Sequence, residues 1–266
     1  MRKIFLDIGA HTGETLQEVS KSIYGFDRII AFEPSSACFP ALSAIASGDR
    51  RIEICRFGLG EGQQQLILYG SGLDSASTLQ GDPDASTEIV QLEDASCWVR
   101  DHLLDGDLIV AKLNCEGGEI AILRSWLASD ILARFYSVMI TFDIRNYPSL
   151  RHQEGLIRSQ LRQRPEANTC FADDVMIGPS HGERLAHWLS LFGLDQPPLP
   201  TLDHYRSVYA PSLTAYSRKR GYRQRAEVII KERLGYGALP APVKAALRAF
   251  KSGMGMSTER SQKLPR

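Results

Sequence analysis

Asp7-Ile8-Gly9-Ala10-His11-Thr12-Gly13 directly follows an apolar run, Ile4-Phe5-Leu6, and Glu33-Pro34 closes a second apolar run twenty residues beyond Gly13. These residue types suit recognition of a nucleoside. A carboxylate at a strand end, such as Glu33, accepts two hydrogen bonds from a pair of ribose hydroxyls. Glycines let backbone approach a ligand where a Cβ would collide, and Gly9 and Gly13 bracket such a turn. A third set, Asn114-Cys115-Glu116-Gly117-Gly118-Glu119, follows the most uniformly apolar run, Leu108–Leu113, and Asp143 follows another at Tyr136–Phe142. Carboxylates at such positions can serve as general bases.

Chemistry at these residues requires strands whose ends meet. The spacing predicts a strand at Ile4–Leu6 and a helix over Gly13–Ile23. In that helix Leu16, Val19 and Ile23 face inward and Glu14, Gln17, Glu18 and Lys21 face outward, with Gly25 as the stop. A strand at Arg28–Glu33 leads to a helix capped by Ser35 or Ser36 and ended by Gly48, with Phe39, Leu42 and Ile45 on its apolar face. Further strands are expected at Arg51–Phe57, Gln65–Tyr69, Ile89–Leu92, Leu108–Leu113, Tyr136–Phe142 and Val175–Ile177. Gly58–Gly62 reads as a turn and 70–87 as a surface loop. Helices are expected at 95–104, after Gly118, at 150–163 and at 184–192. Strands alternating with helices imply a mostly parallel, doubly wound α/β sheet, in which ligands sit beyond the carboxyl ends of the strands. Asp7, Glu33, Asn114, Glu116 and Asp143 all fall at that rim.

The chain has 266 residues, 43% of them hydrophobic, enough for one sizeable core. Its neutral total conceals an uneven distribution. Residues 218–266 carry thirteen Lys/Arg and three Asp/Glu, so residues 1–217 are acidic by the same margin. The expected organisation is a domain over 1–217 and a basic helical extension over 218–266, with helices at 224–234 and 243–251 after the proline-rich Gln196–Pro200. A basic extension can touch an anionic membrane surface peripherally or dock on the acidic body; a solvated end is the plainer expectation. No RNA-binding signature is present and no nucleic-acid partner is expected. No apolar stretch is long enough to span a bilayer, and Met1-Arg2-Lys3 runs straight into the first strand; the expected location is cytoplasmic. The five cysteines form no C-x-x-C pair and read as reduced thiols, and the six histidines form no H-E-x-x-H, so no metal site is expected.

The turn reads D-x-G-A-x-x-G, short of the G-x-G-x-x-G of dinucleotide sites, and it places a carboxylate where a pyrophosphate would be repelled. A cofactor with a cationic centre and no phosphate suits it better, which points to S-adenosylmethionine. The segments Phe5–Gly13, Ala31–Pro34, Gly58–Gly62 and Lys112–Glu119 resemble, in order, the motifs of the FkbM-type methyltransferases. The resemblance covers about residues 4–145, and its most specific part is the strand ending in Lys112-Leu113-Asn114-Cys115-Glu116-Gly117-Gly118-Glu119. It implies a seven-strand Rossmann-like fold and S-adenosylmethionine-dependent methylation of a hydroxyl on a carbohydrate or similar small-molecule or glycan acceptor. By that resemblance Asp7, Gly9, Ala10 and Gly13 line the methionine end and Glu33 holds the ribose. Gly58 and Glu61 then border the adenine, and Asn114, Glu116 and Glu119 lie near the transfer site.

Removing the hydroxyl proton calls for a base. The candidates, in order, are Glu116, Asp143 and His11, although Glu116 can also cap the helix behind it and Asp143 can pair with Arg145. Lys112, inside an apolar strand, is expected to pair with a carboxylate or reach the rim. Two other functions compete: a nicotinamide-dependent sugar oxidoreductase or epimerase, disfavoured by the missing G-x-G, and a catalytically silent cofactor-binding module, suggested by Asn114 where the family more often has Asp.

Overall fold

A computed structural model of the chain describes residues 1–73, 75–79, 86–164 and 168–195, all within the first of two compact units, Met1–Tyr216. The expectations for Gln196–Pro200, for the helices at 224–234 and 243–251 and for the extension 218–266 lie outside the described residues. In chain order the elements are β1 (Lys3–Ile8), α1 (Glu14–Val19), β2 (Arg28–Phe32), α2 (Phe39–Ser47), β3 (Ile52–Cys55), β4 (Gly58–Gly60), β5 (Gln64–Tyr69), β6 (Thr87–Asp94), α3 (Ala95–His102), β7 (Leu108–Leu113), α4 (Glu119–Ala128), β8 (Phe135–Ile140), α5 (His152–Arg162), β9 (Thr169–Phe171), α6 (Ala172–Val175) and α7 (His181–Leu191).

One sheet has six parallel strands in the order β3-β2-β1-β7-β8-β9, and a smaller one has three in the order β4-β6-β5. The chain steps outward from β1 to β3, returns through the small sheet, and resumes at β7 on the other side of β1. The strand order therefore reverses between β1 and β7, and in sheets of this kind ligands sit at that point, beyond the carboxyl ends. The architecture is Rossmann-like α/β. The main sheet has six strands among the described residues, against the seven expected. Val175 ends α6 and does not start a strand; the edge strand is the three-residue β9 just before it. Gly58–Gly60 is a strand rather than a turn, pairing with Leu92–Asp94 in the small sheet.

β1, β7 and β8 are buried along their whole length, because helices cover both faces of the sheet and parallel strands then read as unbroken apolar runs. Ile4, Leu6 and Ile8 join Ile109, Ala111 and Leu113 in a core with Trp98, Trp126 and Leu161 from α3, α4 and α5. Phe5 and Val110 point the other way, toward Leu16, Leu42 and Trp188 from α1, α2 and α7. Each such side chain contributes about 1.5–3 kcal/mol by leaving water. Side chains alternate along a strand, so Asp7 shares the Phe5 face and Lys112 the Val110 face. The two charges meet because Asp7 and Lys112 are also register partners.

The first helix is shorter than its pattern suggested. It ends at Val19, and a separate 3-10 turn, Ser22–Tyr24, stops at Gly25 with φ of 59°. The shortening reverses two expected orientations: Ile23 is 59% exposed and Glu18 is buried. Glu18 accepts hydrogen bonds from Tyr24 Oη and Lys21 Nζ, each at 2.6 Å, and it lies where α7 passes, beside Gly182. Ser35 stands at the N-cap of a 3-10 turn, Ser36–Cys38, but its side chain makes no cap bond; its hydroxyl sits 2.8 Å from that of Ser71. No helix among the described residues is long and apolar enough to cross a membrane.

Candidate functional site

The turn after β1 is held by its neighbours on both sides. Gly9 N and Ala10 N both donate to the Phe32 carbonyl, at 3.1 and 3.0 Å. His11 N donates to Glu33 Oε2 at 2.8 Å. Gly9 has φ of 83°, and a Cβ there would stand 1.8 Å from the Asn114 carbonyl oxygen. Gly13 has φ of 91°, and its Cβ would meet Ile45 Cδ1 at 2.5 Å. The glycines are thus required by protein backbone and by packing between helices, not by the approach of a ligand to their Cα atoms. Ala10, 3% exposed, belongs to the core under α1 and α2. Its backbone and that of Gly9 shape the turn, while Ala10 and Gly13 turn away from the rim.

Asp7 is fully buried and accepts a hydrogen bond from Lys112 Nζ at 2.9 Å through Oδ1. The same ammonium donates to the Gly9 carbonyl at 2.7 Å. Burial pushes the Asp7 carboxyl up, and Lys112 opposes this. Asp7 Oδ2 is buried with no hydrogen-bond partner, and so is Asn114 Oδ1 just past β7. Glu33 is 8% exposed. Its Oε1 accepts from Ser35 N and its Oε2 from His11 N, both at 2.8 Å. Burial raises its pKa despite those amides.

The tips of β7 and β8 are tied together by Glu119, itself fully buried. Glu119 Oε2 accepts from Gly117 N and Oε1 from Ile144 N, both at 2.8 Å. Glu119 therefore does not reach toward a ligand; it fixes the Asn114–Gly117 and Asp143–Ile144 loops against each other. Asp143 is half-buried, its Oδ2 has no partner, and burial raises its pKa. Arg145, the expected ion-pair partner of Asp143, instead donates to Glu154 Oε1 at 2.9 Å and Asp173 Oδ2 at 2.8 Å. Arg158 completes that network, at 2.8 Å from Glu154 and 3.3 Å from Asp173.

Glu116 adopts φ of 46°, an uncommon conformation for a residue with a side chain. Two hydroxyls hold its carbonyl: Ser77 Oγ donates at 2.9 Å and Tyr147 Oη at 3.2 Å. Leu79 lies over Gly117, where a Cβ would stand 2.4 Å from Leu79 Cδ1. The segment after β5 thereby touches two tips of the main sheet, through Ser71 on Ser35 beyond β2 and through Ser77 on Glu116 beyond β7.

Strand tips thus bring together Asp7, Gly9 and His11 at β1, Glu33 beyond β2 and Asn114 and Glu116 beyond β7, with Asp143 on the adjoining tip of β8. Gly58 lies buried against Leu92 and Pro34, next to Glu33 at the β2 tip, and Glu61 is exposed beyond β4. Lys112, expected to pair with a carboxylate or reach the rim, pairs with Asp7, and His181 is an addition that motif reading did not select. His181 Nε2, at the start of α7, lies 3.1 Å from Thr15 Oγ1; burial first and Lys112 second lower its pKa. A lysine in a buried strand was the available signal for Lys112, whereas nothing near His181 in sequence pointed to the rim. All five cysteines are free. Among the described residues no group of three or more His, Cys, Asp or Glu side chains is placed to hold a metal ion.

No protein-family model matches the chain, and no curated protein does. Among solved structures, the crystal structure of methyltransferase FkbM from Methylobacillus flagellatus KT is similar over 48% of this chain and 30% of that chain, at 18% identity and a TM-score of 0.32. Similarity at this level assigns no activity.

Proposed function

We propose that the chain is an S-adenosylmethionine-dependent O-methyltransferase acting on a hydroxyl of a carbohydrate or glycosylated metabolite. One observation carries the reading: the buried oxygens of Asp7, Asn114 and Asp143 that lack a donor belong to adjacent strand tips. A ligand that completes them brings hydrogen-bond donors and tolerates negative charge. The ammonium and sulfonium of S-adenosylmethionine meet both needs, while a pyrophosphate brings only acceptors and more negative charge. The weight rests on these oxygens and not on the net charge of Asp7, because Lys112 neutralises that carboxylate. Glu33 keeps lone pairs after accepting two amides, enough for a ribose diol. The carbohydrate class of acceptor comes from the motif resemblance alone.

When bound, S-adenosylmethionine supplies an electrophilic methyl group. The chain's residues orient the acceptor hydroxyl and take its proton. Asp143 is the best-placed base. One of its oxygens lacks a donor, and burial moves its pKa upward, toward the range where a base is effective at neutral pH. Glu116 ranks second, at the β7 tip where Ser77 and Tyr147 hold its carbonyl, and His11 third.

Incubation with methyl-labelled S-adenosylmethionine and a panel of neutral glycans and glycosylated metabolites tests the reading. Label appearing on an acceptor oxygen supports it; cofactor binding without label on any acceptor favours a silent module. Glu33→Ala should weaken S-adenosylhomocysteine binding by about 1–3 kcal/mol, and unchanged affinity by calorimetry would remove Glu33 from the ribose site.

A further inference from the structure

Lys112 is the one charged residue in Leu-Ile-Val-Ala-Lys-Leu, and it is 4% exposed. Burying an ammonium is unfavourable unless its protons find acceptors. Lys112 finds two of different kinds, the Asp7 carboxylate at 2.9 Å and the Gly9 carbonyl at 2.7 Å. The first partner neutralises it. The second is the turn that the proposed nucleoside would lie against. Phe32 and Glu33 hold that turn through its N–H groups from the β2 side. Lys112 holds it through a carbonyl from the β7 side. The Gly9–Ala10 peptide is thus held at both of its polar groups, its N–H by the Phe32 carbonyl and its C=O by the Lys112 ammonium.

We propose that Lys112 is a positioning residue for the nucleoside site: seated between Asp7 and the Gly9 carbonyl, its ammonium fixes the glycine turn in the geometry the ligand needs. This rests on the S-adenosylmethionine reading above. The surroundings agree with it. Asp7 on β1, Glu33 beyond β2, Asp143 beyond β8, His181 on α7 and Cys115 beyond β7 all feel its charge. For Asp7, Glu33 and Asp143 burial is the larger influence and raises the pKa, while Lys112 favours the ionised form. One cation therefore holds the turn and helps keep three rim carboxylates ready to accept hydrogen bonds.

The alternative is that Lys112 serves only to neutralise Asp7. Three variants separate the two roles: Lys112→Met, Asp7→Asn and the double Asp7→Asn/Lys112→Met. Each is followed by thermal unfolding, by calorimetry with S-adenosylhomocysteine and by hydrogen exchange at Gly9, Ala10 and His11. Lys112→Met leaves a buried carboxylate unpaired and should be the least stable. The double variant removes both charges and should regain stability, so it decides the matter even if the single does not fold. Its affinity should remain roughly tenfold or more below that of Asp7→Asn, which retains the donor to Gly9. Its three turn amides should also exchange faster than those of Asp7→Asn. A double variant that binds as tightly as Asp7→Asn, with equal exchange at the turn, overturns the proposal. If the wild-type chain takes up no S-adenosylhomocysteine, the functional reading fails by itself, and the exchange comparison still decides whether Lys112 sets the turn.

Discussion

Carboxylates at the two ends of the main sheet behave in opposite ways. At the amino ends, Asp49 before β3 and Asp107 before β7 have arginine partners. Arg51 donates to Asp49 at 2.5–3.1 Å and holds its pKa below the ordinary carboxylate range. Burial raises Asp107, but Arg2, donating at 2.9 and 2.7 Å, together with the Leu104 amide brings it below the ordinary value. At the carboxyl ends, Asp7, Glu33, Glu119 and Asp143 are all raised, burial being the largest cause each time. Non-glycine residues with positive φ lie at both ends, His11 and Glu116 at this one and Asp130 and Asn168 at the amino end. The amino end is built for stability. The carboxyl end keeps a set of buried carboxylates with raised pKa on adjacent strand tips, which is the pattern of a ligand site.

Glu119 tests the contrast most severely, because it lies at the carboxyl end yet has both oxygens satisfied. Glu119→Ala should cost about 3 kcal/mol, since it strands two amide donors and leaves a cavity where the β7 and β8 loops join. Denaturant unfolding measures this, and a near-neutral result would mean the two loops do not depend on it. Asp143→Asn should act in the opposite direction. Its folded-state pKa is raised, so ionisation at neutral pH counts against the folded state; removing the charge should add up to about 1 kcal/mol of stability while turnover falls roughly a hundredfold. If this variant loses stability and keeps its rate, Asp143 belongs with the structural acids. The smallest effect is expected at Asp107. Asp107→Ala, which leaves the Leu104 amide without its acceptor, should cost about 1 kcal/mol and leave ligand affinity unchanged. Because the folded-state pKa of Asp107 is lowered, its contribution is complete at neutral pH and fades as the pH falls below about 4. Parallel melting curves of wild type and variant at acid pH check that sign.

Much of this contrast can be read from sequence, and what cannot has identifiable causes. The central strands were legible because strands covered on both faces show as apolar runs: Leu108–Leu113 is β7 to the residue. The rim was legible because Asp7, Glu33, Asn114 and Asp143 end or follow such runs. β4 was not, since Gly58-Leu59-Gly60 reads as a turn until β6 lies alongside and Leu92 fills the space a Cβ would take. Nor was β9, whose three residues are too few to show alternation. The role of Glu119 was hidden because its second partner, the Ile144 amide, lies 25 residues away. Lys112 was visible as an oddity, but its partner depended on the register of two strands 105 residues apart.

Calorimetric titration of the wild-type protein with S-adenosylhomocysteine and, under the same conditions, with NAD addresses the central claim most directly. Saturable binding of S-adenosylhomocysteine alone is expected, weakening as the pH falls and the rim carboxylates with raised pKa take up protons. Binding of NAD alone, or of neither nucleotide, would contradict the claim that the acceptor-rich strand tips are shaped for an S-adenosyl amino acid.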